Sequence, residues 1–509
     1  MFRVILFISL IVLGFTVYSQ NDLDAIRYSR TSVNGSSRFV SMGGAFGAIG
    51  ADMSCAAFNP AGIGIYRKGE ISFSGGLITT FNEGNINGKS SNISNAVFNF
   101  NYFGILGGWP SKLDKESRHL VCFTNTQIQN FTNKIRVSSY TNNNSILKDM
   151  LEKAKTAGSS NKLNPSYEGL AFETLLLDTV YNNFISMVDT KRTVLQTRDI
   201  VTSGKTNERN FSYAYAYKDK FYFGLSIGLP KVEFTSTTTH VEKDDKDSTR
   251  IGLTSPGTYT NTFIGGLPGL NGYYANYLGF NSLNYTEYFK TTGSGINFKF
   301  GGISRVSDFF RFGFYYHTPT IYNLKDDYYN SMTAYFDKDP SKPTTTKSPK
   351  EGGYFEYSII TPGKLSLNTA FVIKKISVIG IDYEMINYKS AYIMSNNVSD
   401  FAGVNTVIKN KYKTGHNFRV GTELNLKPIM FRIGYNLNGS PFGNTFNGNF
   451  SRHIISFGAG FRTKNNIYFD FVWFNAFTTE DYYLYNSLSS KAILHYQSAN
   501  LSFTAGIKF

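Results

Sequence analysis

Residues able to do chemistry are thinly spread along this chain. Six histidines, His119, His240, His317, His416, His453 and His495, stand with no motif around them. Hydrolytic chemistry needs a histidine beside a nucleophile or carboxylate, so no catalytic residues are expected. Cys55 and Cys122 are too few for a disulfide framework and lack metal-ligand spacing, so neither a metal nor a cofactor is implied. The spacing of Gly44, Gly47 and Gly50 has the look of a phosphate loop, but no βαβ unit surrounds it. What remains informative is how apolar and polar residues alternate.

Residues 500–509 alternate without a break. Leu501, Phe503, Ala505, Ile507 and Phe509 fall on one face of a strand, and Asn500, Ser502, Thr504, Gly506 and Lys508 on the other. A fully apolar face needs lipid or a protein core against it. The start of the chain favours lipid: residues 2–17 are an apolar run after Arg3 that closes on Val17-Tyr18-Ser19, the pattern of a signal peptide over 1–19. That run is too short to be kept as a spanning helix.

Composition agrees. Hydrophobic residues make up 41% of the chain, yet no later segment is apolar enough to cross a bilayer as a helix. A β-barrel hides its hydrophobicity by alternating it. The aromatic share of 16%, with 45 Phe and 35 Tyr but 2 Trp, suits strands and the girdles at membrane interfaces. A net charge of +15 would suggest nucleic acid for a cytoplasmic protein. For an exported chain no nucleic acid is expected, and acidic lipopolysaccharide is the expected counter-charge.

Alternating runs recur at 70–77, 96–106, 120–131, 211–217, 221–229, 294–306, 309–318, 364–372, 376–383, 416–426, 429–436, 453–462, 466–474 and 499–509. They predict an all-β, antiparallel transmembrane β-barrel of about 14 strands. Tight turns at 217–220, 305–308, 374–375, 427–428 and 463–466 alternate with long excursions such as 132–210, 230–293 and 319–362. Periplasmic turns on one rim and extracellular loops on the other would give that rhythm. Within the excursions, 144–157 and 169–185 carry helical spacing. Leu170, Phe172, Leu175, Leu176, Val180 and Phe184 there form an apolar surface that must pack on another loop or receive a hydrophobic ligand. Residues 337–349, rich in Lys, Pro and Thr, read as a mobile loop tip.

Parity sorts lipid from lumen. Arg311, Arg419 and Arg432 oppose outward phenylalanines and should face inward, because a basic side chain on the lipid face costs about 2 to 4 kcal/mol at the bilayer midplane. They have two available roles: pairing with Glu423, Asp470 and Asp382 across the lumen, or, with Lys299, holding a ligand carboxylate. By the same parity Cys122 faces the lumen, where a bond to Cys55 would need their Cα atoms within about 7 Å.

The segment Ser36-Ser-Arg-Phe-Val-Ser-Met-Gly-Gly-Ala-Phe-Gly-Ala-Ile-Gly50, followed by Asp52 and Ala56-Ala-Phe-Asn-Pro-Ala-Gly62, resembles the N-terminal plug of the FadL/TodX family of outer-membrane transport proteins. Asn59-Pro60-Ala61 is its most specific piece. The resemblance implies a plug (hatch) over 20–68 inside the lumen of a barrel over 69–509, in the bacterial outer membrane. It implies passive transport of hydrophobic compounds, typically long-chain fatty acids, with Asn59, Pro60 and Ala61 as hinge or latch and Gly43 and Gly44 in the same gate. A C-terminal strand ending in Phe509 would be read by the barrel-assembly machinery. The alternatives are a haem-binding receptor and a barrel serving protein secretion.

Overall fold

The computed structural model describes residues 22–509 except 113, 115, 143, 181–182, 187–192, 246–252, 256–257, 260–279, 337–340, 375, 398, 444–449, 486 and 489. The expected signal peptide at 1–19 therefore lies outside the described residues. The rest forms a closed antiparallel barrel of 14 strands. In chain order, β1 is Glu70–Ile86, β2 Lys89–Pro110, and β3 Arg118–Asn130 continued by Asn133–Thr141. Next come β4 Val194–Tyr217, β5 Phe221–Lys243, β6 Phe280–Arg305, and β7 Phe310–His317 continued by Ile321–Phe336. β8 is Thr344–Ile360 continued by Lys364–Ile373, β9 Ser377–Asn387, β10 Thr414–Leu426, and β11 Ile429–Asn438. β12 is Arg452–Arg462, β13 Ile467–Tyr482, and β14 Ala492–Lys508, which pairs with β1 from Lys508↔Glu70 to Ile493↔Asn85 and closes the barrel.

Each of the alternating sequence windows falls in a different strand, because each is the stretch where one face meets lipid and the other the lumen. Phe223, Leu225, Phe312, Phe314, Phe431 and Phe471 stand exposed on the outside. At about 25 cal/mol per Å² such a surface is costly in water, and lipid removes the cost. The long excursions are shorter than the sequence suggested. β4 runs 24 residues and β6 26, about twice what a tilted strand needs to span, so the sheet continues well past the apolar band. Past the band neither face is apolar, and the period-two signal fades. The expected mobile tip at 337–349 is likewise corrected: residues 337–340 lie outside the described residues, but Thr344–Ser348 pair in register with Ala334–Asn330.

Among the loops, Ile146–Ala157 is a helix. Ser145 caps its start by accepting from Leu147 N at 3.1 Å, and left-handed Gly158 ends it. Its buried face of Ile146, Leu147, Met150 and Ala154 packs with Leu170, Leu176 and Phe184. The apolar loop surface is therefore spent on packing. Only part of 169–185 is helical, as Glu168–Glu173, while Leu177–Val180 and Asn183–Ser186 form a hairpin.

Candidate functional site

Residues 22–66 fold back into the lumen as short helices, Asp22–Ser29 and Ser37–Ser41, and 3-10 turns, Met53–Ala57 and Pro60–Ile65. The wall admits them through glycines. A Cβ on Gly434 would sit 2.1 Å from Gly43 N, one on Gly421 2.2 Å from Met42 O, and one on Gly224 2.2 Å from Ala61 N. Gly43 and Gly44 turn with φ of +63° and +78°, the left-handed region that favours glycine.

The Asn-Pro-Ala triplet is a structural lock. Asn59 Nδ2 donates to Gly47 O at 2.6 Å and to Phe314 O of the wall at 3.3 Å, while its Oδ1 accepts from Ala61 N at 3.1 Å. Pro60 opens the following 3-10 turn, where its missing N–H is not needed. On the short-turn side, Arg38 donates to both carboxylate oxygens of Glu423, at 2.9 and 3.1 Å, and to Ala51 O at 2.7 Å.

All four basic residues singled out by parity point inward, and each is already engaged. Lys299 lies 2.9 Å from Glu208 and also donates to Asn210 and Asn297. Arg419 pairs with Glu384 at 2.7 Å rather than with Asp382, which instead accepts from Gly47 N of the plug. Arg432 bridges Glu423 and Asp470 at 2.6 and 2.8 Å. Arg311 donates to Ile49 O of the plug at 2.9 Å. Cys55 and Cys122 are both free and buried, so no disulfide joins them.

The plug divides the lumen. Toward the short turns lies a vestibule of about 610 Å³, lined by Arg38, Asp52, Glu423, Arg432, Lys464 and Lys508 among others. Toward the long loops lies a chamber of about 520 Å³, with Ile78, Ile200, Phe234, Ile386, Ile454, Phe474 and Tyr496 in its walls. Arg30 and Arg452 enter this chamber, as does Glu480. Arg452 donates to Ser32 Oγ at 3.2 Å and Arg30 to Phe450 O at 3.4 Å; among the described residues no carboxylate pairs with either.

The ladder beside the chamber is interrupted, and Asn133 and Lys134 in the continuation of β3 instead bond Asn82 of β1. β2 pairs with β3 only from Pro110↔Arg118 to Tyr102↔Thr126. Beyond that point β3 stays with β4, through a bulge at Gln127/Gln129 and the break at 131–132, while residues 89–101 of β2 keep only β1 as a ladder partner. Asn99 bonds Gln127 across the opening, and Phe98 and Phe100 stand exposed on its outer edge. Gln129, Asn130 and Phe131, just past the last β2–β3 pair, line the chamber.

A barrel of this strand number, with an inner plug and a parted wall, is similar to the crystal structure of a Pseudomonas aeruginosa FadL homologue. The TM-score is 0.52 at 13% identity, over 94% of this chain and 99% of that one. The fold is that of the FadL homologue. At TM-scores of 0.49 the chain is also similar to two toluene transporters, TbuX of Ralstonia pickettii (14% identity, 94% and 99% covered) and TodX of Pseudomonas putida (11%, 94% and 99%). No protein-family model and no curated protein sequence matches it. Within this FadL fold, sequence reasoning missed Arg30, Arg452 and the wall opening. A compositional signal was present: Asn92, Asn95, Asn99 and Asn101 crowd the half of β2 that leaves the ladder.

Proposed function

We propose that this protein is an outer-membrane channel for passive entry of hydrophobic compounds, and that its substrates are long-chain fatty acids. The observation that carries this reading is the chamber, a cavity of mixed polar and apolar lining in which Arg30 and Arg452 form no ion pair among the described residues, beside the end of the β2–β3 ladder at the level of the lipid-facing phenylalanines. Its size is within the ordinary range for small-molecule sites. An apolar tail would lie along Ile78, Ile200, Phe234 and Phe474 while Arg30 and Arg452 hold a carboxylate. The plug, latched by Arg38–Glu423 and by Asn59, blocks the straight route to the vestibule. The gap between β2 and β3 offers a sideways one, into the membrane.

Nothing in this route requires bond making, so no enzymatic role is proposed, and the chamber's described lining holds no histidine to favour haem. The test is uptake of labelled oleate by cells lacking their own fatty-acid channel. Intact protein should restore uptake, and Asn59→Ala with Pro60→Ala should change it at equal folded barrel. A folded barrel that restores no uptake would refute the fatty-acid reading.

A further inference from the structure

The surplus positive charge of this chain is not where an acidic outer surface would draw it. Toward the long loops acids are interspersed with the cations, some of them in pairs such as Arg136–Asp199, Arg198–Glu287, Lys411–Asp22 and Lys491–Asp481. Around the short-turn rim several cations lack such pairs. Lys112, Lys220, Lys374, Lys427 and Lys464 sit in five different turns, all exposed, and no acidic partner pairs with them among the described residues. The acids nearby are already taken: Asp219 by Arg67 and Arg118, Asp308 by Arg305, and Glu70 by Lys508. Glu116 is left in opposition.

These lysines also stand at a defined depth. Lys220 precedes Phe221, Lys374 follows Ile373 and Lys427 follows Leu426, while Lys112 and Lys464 lie three residues from Trp109 and Ile467. Each of those apolar neighbours is exposed on the outer face of the barrel. Lys427 and Lys464 also border the vestibule, and from the edge of the lipid-facing band a flexible four-carbon stem can reach the head groups. Short turns mark the periplasmic rim.

We infer that this ring of lysines binds the phosphates of anionic phospholipids in the inner leaflet of the outer membrane. The ring orients the barrel and concentrates acidic lipid around its periplasmic mouth. This depends on the barrel lying in a membrane and not on what it transports. A lysine near an anionic surface contributes about fivefold in affinity at low salt, and the effect fades within a Debye length as salt rises.

The experiment uses the full folded barrel in a non-ionic detergent, with heat-modifiable gel mobility as the check on folding. Phosphatidylglycerol or phosphatidylcholine is added and the retained lipids are counted by native mass spectrometry. Intact protein should prefer phosphatidylglycerol, and the preference should shrink with salt. Lys112→Gln, Lys220→Gln, Lys374→Gln, Lys427→Gln and Lys464→Gln together should cut it at least tenfold. Lys347→Gln, Lys350→Gln, Lys389→Gln, Lys409→Gln and Lys413→Gln, on the opposite side, should leave it unchanged. If the rim variant does not fold, the triple change at Lys374, Lys427 and Lys464 should still lower the preference. Equal retention of both lipids, or a preference lost only in the long-loop variant, would overturn the inference. Salt-sensitive binding of polyglutamate without any lipid preference would overturn it in favour of an acidic protein partner.

Discussion

Replacing Arg452 by Gln tests the head-group site directly. The substitution keeps a donor near Ser32 and removes the charge. Hydrogen bonds to charged groups contribute about 1.5–3 kcal/mol, so affinity for a long-chain carboxylate should fall roughly 10- to 150-fold. Arg30 shares the chamber, so Arg30→Gln should cost a similar amount, and the double change should lose less than the sum if both guanidiniums hold one carboxylate. The methyl ester of the same acid is the control. Its tail gains the same ~0.8 kcal/mol per buried CH₂, but it carries no charge for either arginine, so its affinity should be nearly unchanged. Calorimetric titration of the barrel in nanodiscs with acid and ester reads both. Equal losses for the two ligands would mean that Arg452 acts by packing, and no loss for the acid would place the head group elsewhere. Either result refutes the reasoning.

Other expectations follow from the plug and the wall. Glu423→Gln breaks the bidentate Arg38 bond and leaves the largely buried Arg432 with one carboxylate, a cost of about 3 kcal/mol borne by the seated plug; bilayer conductance should rise. Gly434→Val forces a side chain into the Gly43 backbone, and such overpacking costs about 1–3 kcal/mol. Cys55 reports it in a Cys122→Ser background. In the seated plug its thiol is buried and its pKa raised by that burial, so maleimide should label it slowly, and the Gly434 variant should be labelled quickly. Asn99→Cys with Gln127→Cys, both native cysteines replaced by Ser, allows a short bismaleimide to bridge the gap between β2 and β3. Fatty-acid uptake should then drop, and unchanged uptake in the bridged protein would rule out the sideways route.

What the sequence made legible is what lipid imposes. Phe431, Ile433 and Tyr435 had to alternate with Arg432, Gly434 and Asn436 because one face of β11 meets lipid and the other the plug, and the barrel follows from repeating that demand. Where lipid is absent the demand lapses: β6 above Ser294 and the Thr344–Ile360 half of β8 carry Thr, Tyr and charged residues on both faces, so their strands could not be read. The Asn59-Pro60-Ala61 turn was legible through its resemblance to a known plug, while its bond to Phe314 O of the wall was not. The use of the lumen arginines was legible only in part. Parity gives direction without assigning partners: Glu423 and Asp470 were among the acids expected and both pair with Arg432, but Arg419 is matched by Glu384 of the neighbouring strand, visible only once register is known. Arg30 and Arg452 escaped because one precedes the plug's recognisable motif and the other stands one residue before an alternating run.

The parted wall also explains why the plug needs so many bonds. An open edge on β2 exposes unpaired backbone groups at membrane depth, where each unsatisfied group is costly. Here the cost is lowered by amides: Asn99 bonds Gln127 across the gap, and Gln129, just inside it, reaches back to the carbonyls of Arg27 and Arg30. The opening is therefore coupled to the N-terminal segment that carries Arg30. A ligand held by the Arg30 side chain would sit on the same residue whose carbonyl Gln129 holds. In this arrangement the proposed head-group site and the end of the β2–β3 ladder are joined by one hydrogen-bonded side chain, through which filling the chamber would loosen the wall. Gln129→Leu should separate them, leaving carboxylate affinity near its original value while slowing release. If that variant bound and released fatty acid as the intact protein does, the coupling would have to lie elsewhere in the plug.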